Sequence, residues 1–274
     1  MGANISNSNQ FNNMIHDEIE IIPKQKYGWK PQIPDKRDHY KIFNNKYTRH
    51  KKIDLRDRCP KVYNQGNLGS CTANAIAFIY EYDLNKQLLN DFMPSRLFIY
   101  YNERDIEGTV STDSGASIRD GIKTINKKGV CDEKIWPYDI NKFTEKPNKL
   151  CYDEAIKNIT LSYKKINQDL NNFRCCLSEG YPIIFGFTVY ESFESSNVEK
   201  TGIVELPDNH EKILGGHAVA MVGYNDYKKH FIVRNSWGDS WGDKGYCYFP
   251  YDYILDADLS SDFWIVTKVS DKNI

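Results

Sequence analysis

Asn235-Ser236-Trp237-Gly238-Asp239-Ser240-Trp241-Gly242-Asp243-Lys244-Gly245-Tyr246 is the stretch from which the rest of the chain is read. Its two Trp-Gly steps put more large aromatic surface into one loop than a plain surface connection tolerates. It follows a short run, Phe231–Arg234, rich in strand-forming residues. Two readings are open: a tryptophan cluster closing one end of a sheet, with Asn235 as a turn residue, or a loop that presents Asn235 for chemistry.

On either side of this loop the texture is that of a sheet. Pro182–Val189, Ala218–Tyr224, Phe231–Arg234, Gly245–Phe249 and Phe263–Val269 are short runs of Val, Ile, Phe and Tyr separated by Gly and Asp/Asn turns, as expected of strands. The first half reads differently. From Cys71 to Leu84 the chain is apolar almost all round, which predicts a helix buried in a core. Ser95 caps a second helix reaching about Asp105. A third runs from about Ser117 to Lys128 on the stripe Ile118, Ile122, Ile125, and a fourth lies near 169–179 before Gly180. Helices first and strands second indicate an α+β protein.

Two further sequences bear on chemistry. Gln65-Gly66-Asn67-Leu68-Gly69-Ser70-Cys71 delivers a cysteine to the first turn of the buried helix. The partial positive charge there favours thiolate, the nucleophilic form. Cys71 is otherwise a small core residue. Gly215-Gly216-His217 heads the apolar strand Ala218–Tyr224, and His217 is either a satisfied buried histidine or a base. A nucleophilic cysteine needs a base, and the base needs a group to orient it. Cys71 from the helical half, with His217 and Asn235 from the sheet half, supplies the three parts.

On these residues the chain resembles the papain family of cysteine peptidases, in which Cys, His and Asn follow in this order. Gln65 stands six residues before Cys71, as that family's glutamine does, and the Asn-Ser-Trp-Gly-x-x-Trp-Gly-x-x-Gly-Tyr block is complete from Asn235 to Tyr246. Gly129-Val130 followed by Trp136-Pro137-Tyr138 resembles the family's Tyr-Pro-Tyr stretch, and the similarity spans roughly residues 53 to 270. The resemblance implies a two-lobed fold, a helical left lobe and an antiparallel β-barrel-like right lobe with the active site in the cleft between them. It implies peptide-bond hydrolysis through a Cys71 thiolate and His217 imidazolium, with a thioester acyl-enzyme. Asn235 orients His217, the Gln65 amide and the Cys71 N–H form the oxyanion hole, Trp237 shields the histidine and binds substrate on the primed side of the cleft, and Gly115 pairs with an extended substrate. No metal and no cofactor is required. A transglutaminase-like enzyme would want Asp in place of Asn235. A non-catalytic relative would have lost Cys71, His217 or Gln65.

The departures from the family pattern are informative. Leu68 and Thr72 replace the usual Cys and Trp around the nucleophile, Asn74 displaces a phenylalanine, and Asp113-Ser114-Gly115-Ala116 replaces a Gly-Cys-x-Gly-Gly strip. The chain is similar in this to the disulfide-poor bacterial and viral branch. Its seven cysteines include no CxxC pair, which speaks against a zinc ribbon. Cys175-Cys176 are expected as one core and one surface thiol.

Residues 1–50 are expected to form an N-terminal arm, and 51–274 the peptidase domain, with a helical lobe over about 60–165 and a β lobe over about 166–274. The segment 27–38, YGWKPQIPDKRD, should be extended. It either lies across the cleft as a propeptide, keeping the enzyme latent, or packs on the back of a lobe. With 36 basic and 37 acidic side chains the formal charge is −1, so no nucleic acid is expected as partner; Arg49, His50, Lys51 and Lys52 read as solvated surface. Peptides or proteins are the expected substrates. No apolar run reaches 18 residues and no secretory signal is apparent, which points to an intracellular or virion-associated setting. Met1-Gly2-Ala3-Asn4-Ile5-Ser6 fits the N-myristoylation pattern, giving Gly2 as a lipidation site for weak membrane association.

Overall fold

The computed structural model describes residues 24–43 and 50–270; Gly2 lies outside them. Helix α1 (Cys71–Lys86) is buried on every face from Cys71 to Leu84, as a helix apolar all round must be. It is flanked by α2 (Arg96–Glu107) and α3 (Ile118–Lys127). Each of these two starts on a serine whose side chain accepts a backbone N–H three residues on, Ser95 from Phe98 and Ser117 from Asp120.

The short strand β1 (Lys52–Asp54) precedes these helices. After them come α4 (Lys149–Ala155), β2 (Thr160–Lys165) and α5 (Leu170–Ser178). Both α4 and β2 escape the sequence reading. The helix has only seven residues, and most of β2 is half-exposed, with no apolar alternation to announce it. Cys175 and Cys176 are both buried, a correction to the expectation of one surface thiol, because α5 packs against β3 and β4. None of the seven cysteines forms a disulfide.

The second half holds β3 (Ile183–Tyr190), α6 (Ser196–Thr201), β4 (Ile213–Asn225), β5 (His230–Arg234), β6 (Tyr246–Pro250), α7 (Tyr251–Leu255) and β7 (Ser260–Val269). The strands pair antiparallel in the order β2-β7-β3-β4-β5-β6, with β1 added against β4. The path does not return on itself, so the lobe is a curled sheet with β2 and β6 at its edges. The helical layer seats α1 on β4 and β7, and one continuous apolar core joins the two layers.

Register positions the chemistry. β4 runs away from His217, and β5 returns alongside it until Arg234 stands opposite Ala220. The next residue, Asn235, is thereby brought beside the start of β4, although 18 positions separate it from His217 in the chain.

Candidate active site

Cys71 is the first residue of α1 and has no solvent exposure. The loop before it is fastened from three directions. Asp113 accepts the Gly69 N–H at 3.0 Å. Tyr138 donates its hydroxyl to the Gln65 carbonyl at 2.9 Å and shares a hydrogen bond with Ser70. The Gln65 backbone N–H reaches the Ser236 carbonyl at 2.8 Å. The Trp136-Pro137-Tyr138 motif therefore acts here through its tyrosine.

His217 and Asn235 meet at 2.8 Å, imidazole Nε2 to amide Oδ1. The other ring nitrogen, Nδ1, is buried without a hydrogen-bond partner. The backbone N–H of Ala218, the next residue, lies against the Cys71 sulfur. Trp237 covers the histidine, its ring centred 5.0 Å away, and is itself walled by Phe193 and Trp241. The Gln65 side chain is held by its oxygen, which accepts from Ser236 Oγ at 2.6 Å, so its Nε2 is aimed into the cleft.

The cleft is not empty. Residues 24–30 of the arm run through it as an extended segment. Gln65 Nε2 donates to the Lys26 carbonyl at 3.0 Å, and the Gly28 N–H lies on the Cys71 sulfur. The Tyr27 ring sits edge-on to His217. Lys30 N–H and the Gly28 carbonyl bond Ala116 at 3.0 and 2.7 Å, in a parallel bridge, and Trp29 N–H bonds the Gly216 carbonyl at 2.9 Å. The ladder on this wall thus runs through Ala116. Gly115 contributes room: a Cβ there would stand 2.0 Å from the Gly28 carbonyl oxygen. Trp29 is 6% exposed, its ring laid directly on Gly186.

Glu194 is the arm's main anchor, and no sequence motif marks it. Its carboxylate accepts the N–H groups of Lys24 and Gln25 at 2.9 and 3.2 Å and the Tyr27 hydroxyl at 2.5 Å. Its carbonyl accepts the Lys24 ammonium.

Electrostatics follow from this occupancy. Burial pushes the Cys71 thiol up to about 12, the Ala218 and Gly28 N–H groups opposing it in part. Burial also lowers His217 to about 4 against the Asn235 hydrogen bond. In the covered cleft the neutral thiol and neutral imidazole are favoured, because a charge in a dry site loses its hydration. Beneath Cys71, Glu103 accepts the Thr72 hydroxyl at 2.6 Å and is raised to about 8, chiefly by burial. Among the described residues no cluster of His, Cys, Asp and Glu could hold a metal ion, and no helix is long and apolar enough to cross a membrane.

Several known proteins are similar to this chain. The family model described as papain family cysteine protease matches residues 50–261. An uncharacterized peptidase C1-like protein of Acanthamoeba polyphaga mimivirus is 45% identical over 89% of this chain and 88% of its own. The crystal structure of xylellain, a cysteine protease from Xylella fastidiosa, superposes with a TM-score of 0.82 at 40% identity, covering 90% of this chain and 99% of that one. The digestive procathepsin L 3 of Tenebrio molitor shares the fold, with a TM-score of 0.69 at 16% identity over 84% of this chain and 74% of that one.

Proposed function

Because the chain belongs to the papain family of cysteine proteases, we propose that Cys71 is its nucleophile, His217 its acid and base, Asn235 the orienting group, and the arm over 24–30 its inhibitor. The chain is a cysteine peptidase. What carries the assignment of roles is the way a main chain is already held: one carbonyl on Gln65 Nε2 and, two residues on, an N–H on the Cys71 sulfur.

With the arm withdrawn, water enters and the charged forms regain solvation. The proton moves from Cys71 to His217 Nδ1, and the sulfur, at the positive end of α1, attacks the scissile carbonyl carbon. The carbonyl π pair moves to oxygen, which takes hydrogen bonds from Gln65 Nε2 and the Cys71 N–H; losing one such donor costs about 3 kcal/mol of barrier. Collapse expels the amine, which takes the proton from His217 and leaves a thioester. His217 then takes a proton from water as the water oxygen attacks the thioester carbon, and collapse breaks the C–S bond, releasing the acid and restoring the Cys71 thiolate beside protonated His217. Throughout, the Asn235 amide oxygen accepts from Nε2–H and so holds the tautomer that leaves Nδ1 for the chemistry.

The arm occupies the same donors with its chain reversed. Residues following the Lys26 carbonyl run onto the Ala116 wall, where a substrate would place the residues preceding its scissile carbonyl. Lys24 and Gln25 line the opposite end with Trp237 and Trp241. A peptide held backwards puts no leaving amine where His217 can protonate it, which accounts for an occupied but intact cleft.

Replacement of Cys71 by alanine in protein freed of its arm is expected to abolish both peptide amide hydrolysis and labelling by an epoxide thiol reagent, with an unchanged circular dichroism spectrum. Wild-type turnover by that variant would remove Cys71 from its role. The giant-virus relative and the missing disulfides favour an intracellular or virion-associated setting, and intact mass of the native N-terminus tests acylation of Gly2.

A further inference from the structure

At the far end of β4 from His217, eight residues and therefore about 25 Å along the strand, lies a cavity of about 670 Å³ that the mechanism does not use. It opens where Lys52, Asn225, His230 and Pro250 line up across β1, β4, β5 and β6. Its rim carries five lysines from four parts of the chain: Lys52, Lys200, the neighbours Lys228 and Lys229, and Lys244. Among the described residues none of these ammonium groups is within ion-pairing distance of a carboxylate. Of the two acids in the wall, Asp243 is already engaged by Arg56 and Tyr248.

Three observations mark this as more than a solvated surface. The protein is almost neutral overall, with 36 basic and 37 acidic side chains, so five unpaired ammonium groups around one hollow are a local excess. Lys229 and Lys244 both hold left-handed backbone, with φ of 50° and 56°, where glycine or asparagine would sit with less strain. Beneath the lysines Ile203, Val204 and Ile232 contribute aliphatic surface to a wall that is otherwise polar. Apart from burial, the ammonium and guanidinium charges of Lys228, Lys52 and Arg56 hold His230 below its usual range. Arg56 is itself paired with Asp54 and Asp243, so the lysines carry the uncompensated part of that field.

We propose that this cavity is a docking site for an acidic, extended segment of a protein substrate, carboxylates on the lysines and aliphatic side chains on the floor. The proposal rests on the peptidase reading and deepens it, since the loop that lines the hollow through Gly242, Asp243 and Lys244 is the one that carries Trp237 and Trp241 at the mouth of the cleft. The two hollows also adjoin along the chain, Glu199 lining the tryptophan end and Lys200 the lysine rim. A cavity with an aliphatic floor fits a peptide better than a bare inorganic anion, which has no use for apolar contact.

The test is binding, which needs no turnover and so is independent of whether Cys71 acts as assigned. A fluorescently labelled peptide alternating Glu/Asp with Ile/Val is titrated into the full chain carrying Cys71→Ala, and anisotropy is read at low and high salt. Saturable binding is expected, weakened at least tenfold by raising the salt, as screening of exposed charges requires. A similar loss is expected in a variant that also carries Lys200→Gln, Lys228→Gln and Lys244→Gln. The His230 imidazole signals should titrate at higher pH with peptide bound, because carboxylates stabilise the imidazolium. Equal affinity in the lysine variant, or no binding to the parent chain, overturns the proposal. So does a site that takes inorganic tripolyphosphate but not the peptide. Should the triple variant fail to fold, Lys228→Gln alone, in an exposed turn, is expected to give a severalfold loss on the same titration, and equal affinity there counts against the proposal.

Discussion

At the scale of single residues, the site is a set of paired atoms with one deliberate vacancy. His217 is anchored through Nε2 and left open at Nδ1; Gln65 is anchored through its oxygen and presents its nitrogen. That Cys71, His217, Asn235 and Gln65 lie together around one cleft was legible, because each stands in a motif whose spacing the resemblance preserves. Ser236, Tyr138 and Asp113, which steady them, were not assigned such roles, since a hydroxyl or carboxylate in a loop has many uses and only the fold selects one. Glu103 belongs to this scale as well. Its folded-state pKa of about 8 stands above the ordinary glutamate value of 4.5, so the native state keeps a proton that the unfolded chain gives up. Its contribution is complete below pH 4.5 and is lost as the pH rises through 8. A Glu103→Gln variant, neutral at every pH, should gain on wild type by up to a few kcal/mol between pH 5 and 8, at about 1.4 kcal/mol per pKa unit. Urea unfolding at the two pH values reads the gain; parallel curves would mean that Glu103 is ionised in place.

Among elements, the arm deserves comparison with the strands it imitates. It is held by two kinds of contact: a short ladder on Ala116 and Gly216, and the Glu194 carboxylate. Hydrogen bonds to a charged acceptor are worth more than neutral ones. Replacing Glu194 by alanine should therefore raise the rate at which an epoxide labels Cys71 in the full chain by about tenfold or more. Gly186→Ala should act in the same direction, because a Cβ there would stand 1.9 Å from the Trp29 ring. Labelling at the wild-type rate in both variants would show that the arm is not what limits access. The arm's extended character was readable from Pro31 and Pro34, but its seat was not, because both proposed placements suit an extended, proline-bearing segment. The same limit explains α4 and β2. Periodicity announces long, amphipathic or wholly apolar elements such as α1, whereas seven residues or a half-exposed edge strand carry too little pattern.

Over the whole molecule, the division into a helical and a sheet half was evident because the change in texture near residue 180 is a change in burial geometry: α1 buries all its faces, while the strands need only short apolar runs. The sheet's failure to close was not evident, because strand order depends on pairings that local sequence does not encode. Stability here comes from a single core shared by both halves, without covalent cross-links between them. The thermal midpoint should accordingly be the same in oxidised buffer and in millimolar dithiothreitol, within a degree by calorimetry; a drop on reduction would reveal a bridge between cysteines. The reagents that keep a sulfur nucleophile in working order are the ones that unstitch cross-linked secreted proteins. Without cross-links to lose, this chain meets no such conflict, and a glutathione-rich milieu preserves its reactive sulfur and its scaffold together.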